Sequence, residues 1–197
     1  MGQTIRIHDI IDKSQALGPG NRLIISVQGC SIKCPHCIVP ETHSKNGGTE
    51  WTTDELLNRI FHAENINGIT IIGGEPMEQA HALTELCKAI KKHSNLSIFT
   101  YTGYTIKELI KDKNVWQLQL LALSDMVCDG PYCYELTDTK LLWRGSKNQK
   151  LYVFSERCRS EIKKMNAHIH VELENVAGKL RIMGVADEKF IECMLKA

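Results

Sequence analysis

Along this chain, apolar residues fall in short runs separated by glycine, proline and polar clusters, and the spacing within each run predicts an element. Residues 22–29, RLIISVQG, are an almost unbroken branched apolar run ending in glycine, which predicts a buried strand. GITIIGG (68–74), LSIFTYTG (96–103) and SDMVCDG (124–130) repeat that form, and QKLYVF (149–154) predicts a fifth strand. Between them the period changes from two to about 3.6. TTDELLNRIFHA (52–63) opens on Thr, carries acids in its first turn and predicts a helix. EPMEQAHALTELCKAIKKH (75–93) predicts the next, with Pro76 near its first turn, where a missing N–H is tolerated. YTIKELIKD (104–112) reads as a short helix with Thr105 as its N-cap, and VWQLQLLAL (115–123) as another. HIHVELE and KLRIMG flank NVAG as an antiparallel hairpin, and DEKFIECMLK closes the chain as a helix.

Strand–helix alternation implies an α/β fold with mainly parallel strands and helices outside. The chain reads as one domain, 1–197, with the hairpin and helix beginning at about residue 165. In such folds ligands gather at the carboxyl ends of the strands. Cys30, Gly73–Glu75, Tyr101–Tyr104 and Asp129 all fall there. Residues 30–48 show no periodicity, and loops this long inside a domain are usually functional.

Composition narrows the class. With 43% hydrophobic and 24% charged residues, the chain matches a soluble globular protein. Its 24 basic and 23 acidic side chains argue against a protein that coats nucleic acid. No apolar run approaches the roughly 20 residues needed to cross a bilayer. The N-terminal residues lack a signal-peptide pattern, so the expected compartment is the cytoplasm, with no membrane partner.

In the cytoplasm, clustered cysteines point to metal or redox chemistry. Three of the eight cysteines, Cys30, Cys34 and Cys37, follow C-x-x-x-C-x-x-C. Cys87, in an apolar helical pattern, reads as a packing residue. A structural zinc takes four ligands. Three thiolates on a cluster of four irons leave one iron open to bind a substrate directly. The zinc alternative stays open at this point, with Cys128 and Cys133, or His36 or His43, completing the set. His168 and His170 would share one strand face and read as structural.

The cysteine loop followed by GGEP after the next strand resembles the radical S-adenosylmethionine superfamily. CPHCIVPETH, TGYT, DGPY and WRGSKNQ, in that order, are similar to the glycyl-radical-enzyme activases that serve the anaerobic ribonucleoside-triphosphate reductase. The resemblance runs from about residue 5 to residue 150 and more loosely through GKLRIMG. It implies a partial, open β/α barrel of the radical SAM type. It implies a 4Fe–4S cluster on Cys30, Cys34 and Cys37, with S-adenosylmethionine on the open iron. Reductive cleavage would yield a 5′-deoxyadenosyl radical that makes a glycyl radical on the reductase, fed by a reduced flavodoxin-like donor. The hard chemistry belongs to the cofactors, and no catalytic side chain is assigned.

The same resemblance implies the cofactor contacts. His36 would lay its ring on the adenine, with Cys37 and Ile38 beside it. Gly73 and Gly74 would let the backbone approach the methionine end. Glu75 would accept from the cofactor's ammonium group or favour the helix N-terminus. Thr102 would meet the carboxylate or ribose, or serve a turn. Asp129 would organise the pocket, with or without a cation, or form an Asp–Gly turn. Arg144 would pair with a carboxylate of the cofactor or partner, and Trp143 would anchor the partner surface or belong to a turn. Two other readings stand beside this one: radical chemistry on another glycyl radical enzyme or a small molecule, and a zinc-stabilised binding module.

Overall fold

The computed structural model describes residues 2–165, 171–176 and 179–184. The strands are β1 (Thr4–Ser14), β2 (Arg22–Val27), β3 (Thr49–Thr52), β4 (Gly68–Gly73), β5 (Ser97–Tyr101), β6 (Met126–Asp129), β7 (Lys150–Val153), β8 (Glu172–Val176) and β9 (Lys179–Met183). The α-helices among these residues are α1 (Thr53–His62), α2 (Ala80–His93), α3 (Ile106–Asp112), α4 (Val115–Leu123) and α5 (Glu156–Lys164).

Strands β1–β7 form one open sheet in the order β3-β1-β2-β4-β5-β6-β7, with β3 and β7 as its edges. The central strands β2, β4, β5 and β6 are parallel. β1 and β7 flank them antiparallel, and β3 pairs antiparallel with β1. The fold is therefore α/β with a mostly parallel centre, and the sheet does not close on itself. Register aligns Val27 with Gly73 and Tyr101 with Cys128, so the central strands end side by side.

Alternate strand residues build two different faces. Leu23, Ile25, Val27, Ile69, Ile71 and Ile98 join Leu56, Ile60, Leu83, Leu86, Ile90 and Leu120 of the helices in the main core. Cys87 is fully buried there, as its apolar setting implied. The opposite face carries Phe99, Met126 and Cys128, covered by Trp143 and Cys158. It also holds Arg22, with no exposed surface. The Arg22 guanidinium donates to Thr70 Oγ1 (2.7 Å), Ser97 Oγ (2.9 Å) and Ser97 O (3.0 Å), and to the carbonyls of Pro19 and Ile69. Burial lowers its pKa to about 10, with weaker opposing contributions from nearby groups. A Cβ on Gly68 would lie 2.7 Å from Arg22 Nη1, so glycine there makes room for the guanidinium. This one side chain ties together the amino ends of β2, β4 and β5.

Three elements escape the sequence pattern. β1 has bulge-like register shifts between Ile7 and Asp9 and between Ile11 and Ser14, which break its alternation. β3 is only four residues long. α5 buries only Cys158, so it has no apolar stripe to read. The helix expected over 75–93 begins as a 3-10 turn, Pro76–Gln79, before α2 proper. Thr52 and Thr105 cap α1 and α3 in reciprocal capping boxes with Glu55 and Glu108.

The β8–β9 hairpin forms where the pattern places it. It is fastened to the end of β1: Glu172 accepts from Ser14 Oγ (2.5 Å) and Gln15 N (2.8 Å), and Arg181 pairs with Asp9 (2.9 Å). The expected C-terminal helix, His168 and His170 lie outside the described residues. No helix among the described residues is long and apolar enough to cross a membrane.

Candidate functional site

The carboxyl ends of β2, β4, β5 and β6 surround a cavity of about 470 Å³. Its wall includes Cys30, Cys34, Cys37 and Ile38 from the long loop, Gly73–Glu75 after β4, Tyr101–Gly103 after β5, and Gly130 after β6. Leu17, Trp143, Ile182 and Gly184 add apolar surface. A second depression of about 580 Å³ runs along the outer face of α1, between Asp12, Trp51 and Arg59, and holds none of these residues.

The cysteine loop is held at both ends and from two sides. Gly29 turns the chain out of β2 with φ of +96°, a conformation that favours glycine. Gly29 N donates to Thr42 O (2.8 Å) and Cys30 N to His43 O (3.2 Å), closing the loop at its neck. Buried Gln28 donates to Glu41 O (2.9 Å) and Ser44 O (2.7 Å), and its Oε1 meets His8 Nδ1 at 3.1 Å. On the other side Glu78 accepts from Ser31 N (2.7 Å) and pairs with Lys45 (3.1 Å). Cys37 N donates to Cys34 O (3.2 Å), and Lys33 and His36 take left-handed φ values of 49° and 57°. Such conformations cost roughly 1–3 kcal/mol each and persist where surroundings impose them.

All three thiols are half-buried and free of disulfides. Burial raises the Cys30 and Cys37 pKa values, and the Glu75 and Glu78 carboxylates push Cys30 further the same way. Loading a metal here must therefore release protons. Among the described residues no three His, Cys, Asp or Glu side chains gather around the space of a single ion. Of the further partners considered for zinc, Cys128 is buried on the inner face and Cys133 donates its thiol hydrogen to Glu135 (3.3 Å), while His36 packs on Tyr134 and His43 borders the cavity with the three thiols.

The GGEP loop is wedged against this neck. Gly74 N donates to Val27 O (2.7 Å) and Glu75 N to Gly29 O (2.8 Å). A Cβ on Gly74 would lie 2.2 Å from Gly29 O, so only glycine permits the approach. Glu75 is buried and already engaged, accepting from Met77 N (2.9 Å), Thr102 Oγ1 (2.8 Å) and Gly103 N (2.7 Å). Burial lifts its pKa to about 7 against the pull of those three bonds. Glu75 is thus a clamp joining the ends of β4 and β5, and Thr102 is one of its two grips on β5.

Other sequence candidates stand behind or beside the wall. Asp129 is buried and accepts from Ile106 N (2.8 Å), holding the start of α3. His36 packs at a tilt against Tyr134, with ring centres 4.3 Å apart, outside the cavity lining. Arg144 also lies outside the lining, with Nη1 at 3.5 Å from Gln149 O. Trp143 is not a surface anchor: it is buried, edge-on to Phe99 at 6.0 Å, with φ of 55°. The Gln149 amide joins the WRGSKNQ turn to the end of β6, accepting from Gly145 N and donating to Gly130 O. Gln28, Glu78 and Gln149 carried no sequence signal, because each acts through partners distant in the fold.

Residues 16–152 match the family model of the 4Fe-4S single cluster domain. The anaerobic ribonucleoside-triphosphate reductase-activating protein of Escherichia coli (strain K12) is 31% identical over 142 residues, covering 68% of this chain and 90% of that protein. The chain belongs to this family of activating proteins. The activating protein of Enterobacteria phage T4 is 32% identical over 140 residues, 68% of this chain and 85% of its own length. The pyruvate formate-lyase-activating enzyme of Clostridium pasteurianum is 29% identical over 136 residues, 65% of this chain and 56% of that enzyme. A solved structure, QueE from Escherichia coli, overlays on 52% of this chain and 53% of its own with TM-score 0.43 and 21% identity, too low to support an argument. In this activating protein the matched segment contains the cysteine loop, GGEP and WRGSKNQ, and it ends before the β8–β9 hairpin.

Proposed function

We propose that this activating enzyme generates a glycyl radical on an anaerobic ribonucleoside-triphosphate reductase. Its cofactors in this reading are a 4Fe–4S cluster on Cys30, Cys34 and Cys37 and S-adenosylmethionine in the adjoining cavity. One observation carries the reading: three thiols from a single loop border the same cavity as GGEP and the end of β5. When bound, the cluster and S-adenosylmethionine supply one-electron cleavage to a 5′-deoxyadenosyl radical, which takes hydrogen from a glycine of the partner.

The chain's own residues hold and shield. Cys30, Cys34 and Cys37 would hold the cluster as thiolates, giving up their protons to do so. Gly73 and Gly74 bring bare backbone to the cavity wall, and Gly103 does so opposite Ile32. Glu75 fixes Thr102 and Gly103 in place. Leu17, Trp143 and Ile182 exclude water from one side. His36, Ile38, Asp129 and Arg144 belong to the rim or its support in this reading. The domain is a single unit, 1–197, whose sheet is a partial radical SAM barrel open to a peptide loop. The electron donor is a reduced flavodoxin-like protein, and the compartment is the cytoplasm.

The test is anaerobic reconstitution followed by mixing with S-adenosylmethionine, a strong reductant and the reductase. The expected result is a brown protein with about four irons per chain, 5′-deoxyadenosine, and a glycyl electron-spin signal on the reductase. A colourless zinc protein, or a Cys34→Ser variant that keeps its full iron content, would overturn the proposal.

A further inference from the structure

Of the described residues that line the cavity, only Ile38 and Thr137 are exposed; the rest are buried or half-buried. Among the described residues the cavity therefore opens between the end of the cysteine loop and the segment that follows β6. A ring contact joins those two segments at the mouth, with the centres of His36 and Tyr134 4.3 Å apart. Large apolar side chains stand out on both: Ile38 is 76% exposed, Tyr134 44% and Leu136 41%.

The segment that presents Tyr134 and Leu136 is fixed in place. Tyr134–Leu136 form a 3-10 turn, with Leu136 N donating to Cys133 O (3.0 Å) and Thr137 N to Tyr134 O (3.1 Å). Thr137 Oγ1 also reaches Tyr134 O (2.7 Å) and meets the Tyr132 hydroxyl at 2.7 Å. Two bonds tie the turn to the WRGSKNQ segment: Cys133 N donates to Ser146 Oγ (3.1 Å) and Lys147 N to Leu136 O (2.9 Å). An arriving chain thus meets apolar surface that is already ordered, so little freedom is lost on contact. Polar groups deeper in the wall are mostly engaged, since Glu75 holds Thr102 and Gly103, and Gln149 holds Gly145 and Gly130.

We infer that Ile38, Tyr134 and Leu136 form a docking rim for the polypeptide segment of the reductase that carries the target glycine. The rim takes apolar side chains beside that glycine. This deepens the proposed function and rests on it, adding where the partner lands. Hydrogen abstraction needs the glycine Cα inside the cavity, so the residues flanking it must cross the mouth. A small substrate held wholly within about 470 Å³ would leave this rim in water, whereas a chain passing over it buries the apolar surface, which favours association.

Leu136→Glu tests the rim, because Leu136 stands outside the cavity lining and its backbone bonds survive the change. Anaerobic biolayer interferometry of reconstituted protein with S-adenosylmethionine and full-length reductase should show Kd for the reductase raised about tenfold or more, as for an anchoring contact. Calorimetric affinity for S-adenosylmethionine should stay within about twofold of wild type. Ile110→Glu, at an exposed apolar position on α3 outside the cavity lining, is the control and should bind the reductase like wild type. A reductase Kd within about twofold of wild type for Leu136→Glu overturns the rim and leaves the proposed function standing. An equal loss in Ile110→Glu, or loss of S-adenosylmethionine binding in Leu136→Glu, overturns it as well. So does an unfolding temperature lowered by more than about 4 °C, which shows Leu136 packed within the chain, or self-association of wild type that Leu136→Glu abolishes, which shows a second copy on this face. If the reconstituted wild type takes up no S-adenosylmethionine, the proposed function falls and the rim falls with it.

Discussion

Replacing Gly74 by alanine adds one methyl group at the junction of the cysteine loop and the GGEP loop. That Cβ would lie 2.2 Å from Gly29 O, 2.8 Å from Gly29 C and 3.0 Å from Gly29 N. All three are backbone atoms at the root of the cysteine loop, so no side-chain rotation relieves the clash. The loops must part, which strains or breaks Gly74 N to Val27 O (2.7 Å) and Glu75 N to Gly29 O (2.8 Å). Two backbone hydrogen bonds at about 1 kcal/mol each, plus about 1–3 kcal/mol for overpacking, give a loss of about 3–5 kcal/mol. For a chain of this size that lowers Tm by about 6–20 °C. Because Gly29 precedes Cys30, bound iron should fall as well. Differential scanning calorimetry and iron analysis on anaerobically reconstituted protein measure both. Gly145→Ala is the control: its Cβ would meet side-chain atoms and no backbone, the Tyr132 ring at 3.1 Å and Gln149 Oε1 at 3.7 Å, so the expected cost is below about 1 kcal/mol. A Gly74→Ala protein within about 2 °C of wild type and fully loaded with iron would refute the reasoning.

Glu75 makes a pH prediction. Its folded pKa, about 7, lies above the unfolded value of 4.5, so the folded state holds the extra proton between them. Stability from this group is therefore full below about pH 4.5 and falls as pH rises through about 7, by about 3 kcal/mol at 1.36 kcal/mol per pH unit. Glu75→Gln should lose that slope, and urea unfolding from pH 5 to 8 reads it; a pH-independent difference between the two proteins would contradict the assignment. Arg22→Leu leaves the Thr70 hydroxyl and the Ser97 and Ile69 carbonyls without their buried donor and should cost about 3 kcal/mol or more, measured by chemical denaturation. Arg181→Ala removes exposed ion pairs to Asp9 and Glu174 worth about 0.2–1 kcal/mol in total stability. It should leave Tm nearly unchanged while speeding amide exchange across residues 172–176; unchanged exchange would show that the hairpin is held by other contacts.

The central strands and the helices that follow them were legible because their signals are local. A branched apolar run ending in glycine is a strand end whatever surrounds it, and Thr52 or Thr105 before an acidic first turn caps a helix within four residues. β1 was hidden because its bulge-like shifts break the alternation, and α5 because a helix burying little but Cys158 shows no stripe. Among the candidate site residues, the three cysteines and Gly73–Glu75 border one cavity. Asp129 and Thr102 were each open to a ligand contact or a turn on sequence, and the fold gives their side chains to Ile106 N and Glu75.

The sequence by itself determined the order of the parallel strands' elements and the spacing of three thiols. Both depend on periods and intervals of a few residues. Only the tertiary structure decided which polar groups are already spent inside the protein and which remain to meet a ligand. Hydrogen-bond partners here come from far apart, as when Gln79 takes Arg6 N, 73 residues away, or Gln28 takes Ser44 O, 16 residues away. No local pattern encodes that pairing, because it exists only after the sheet has brought the strand ends together.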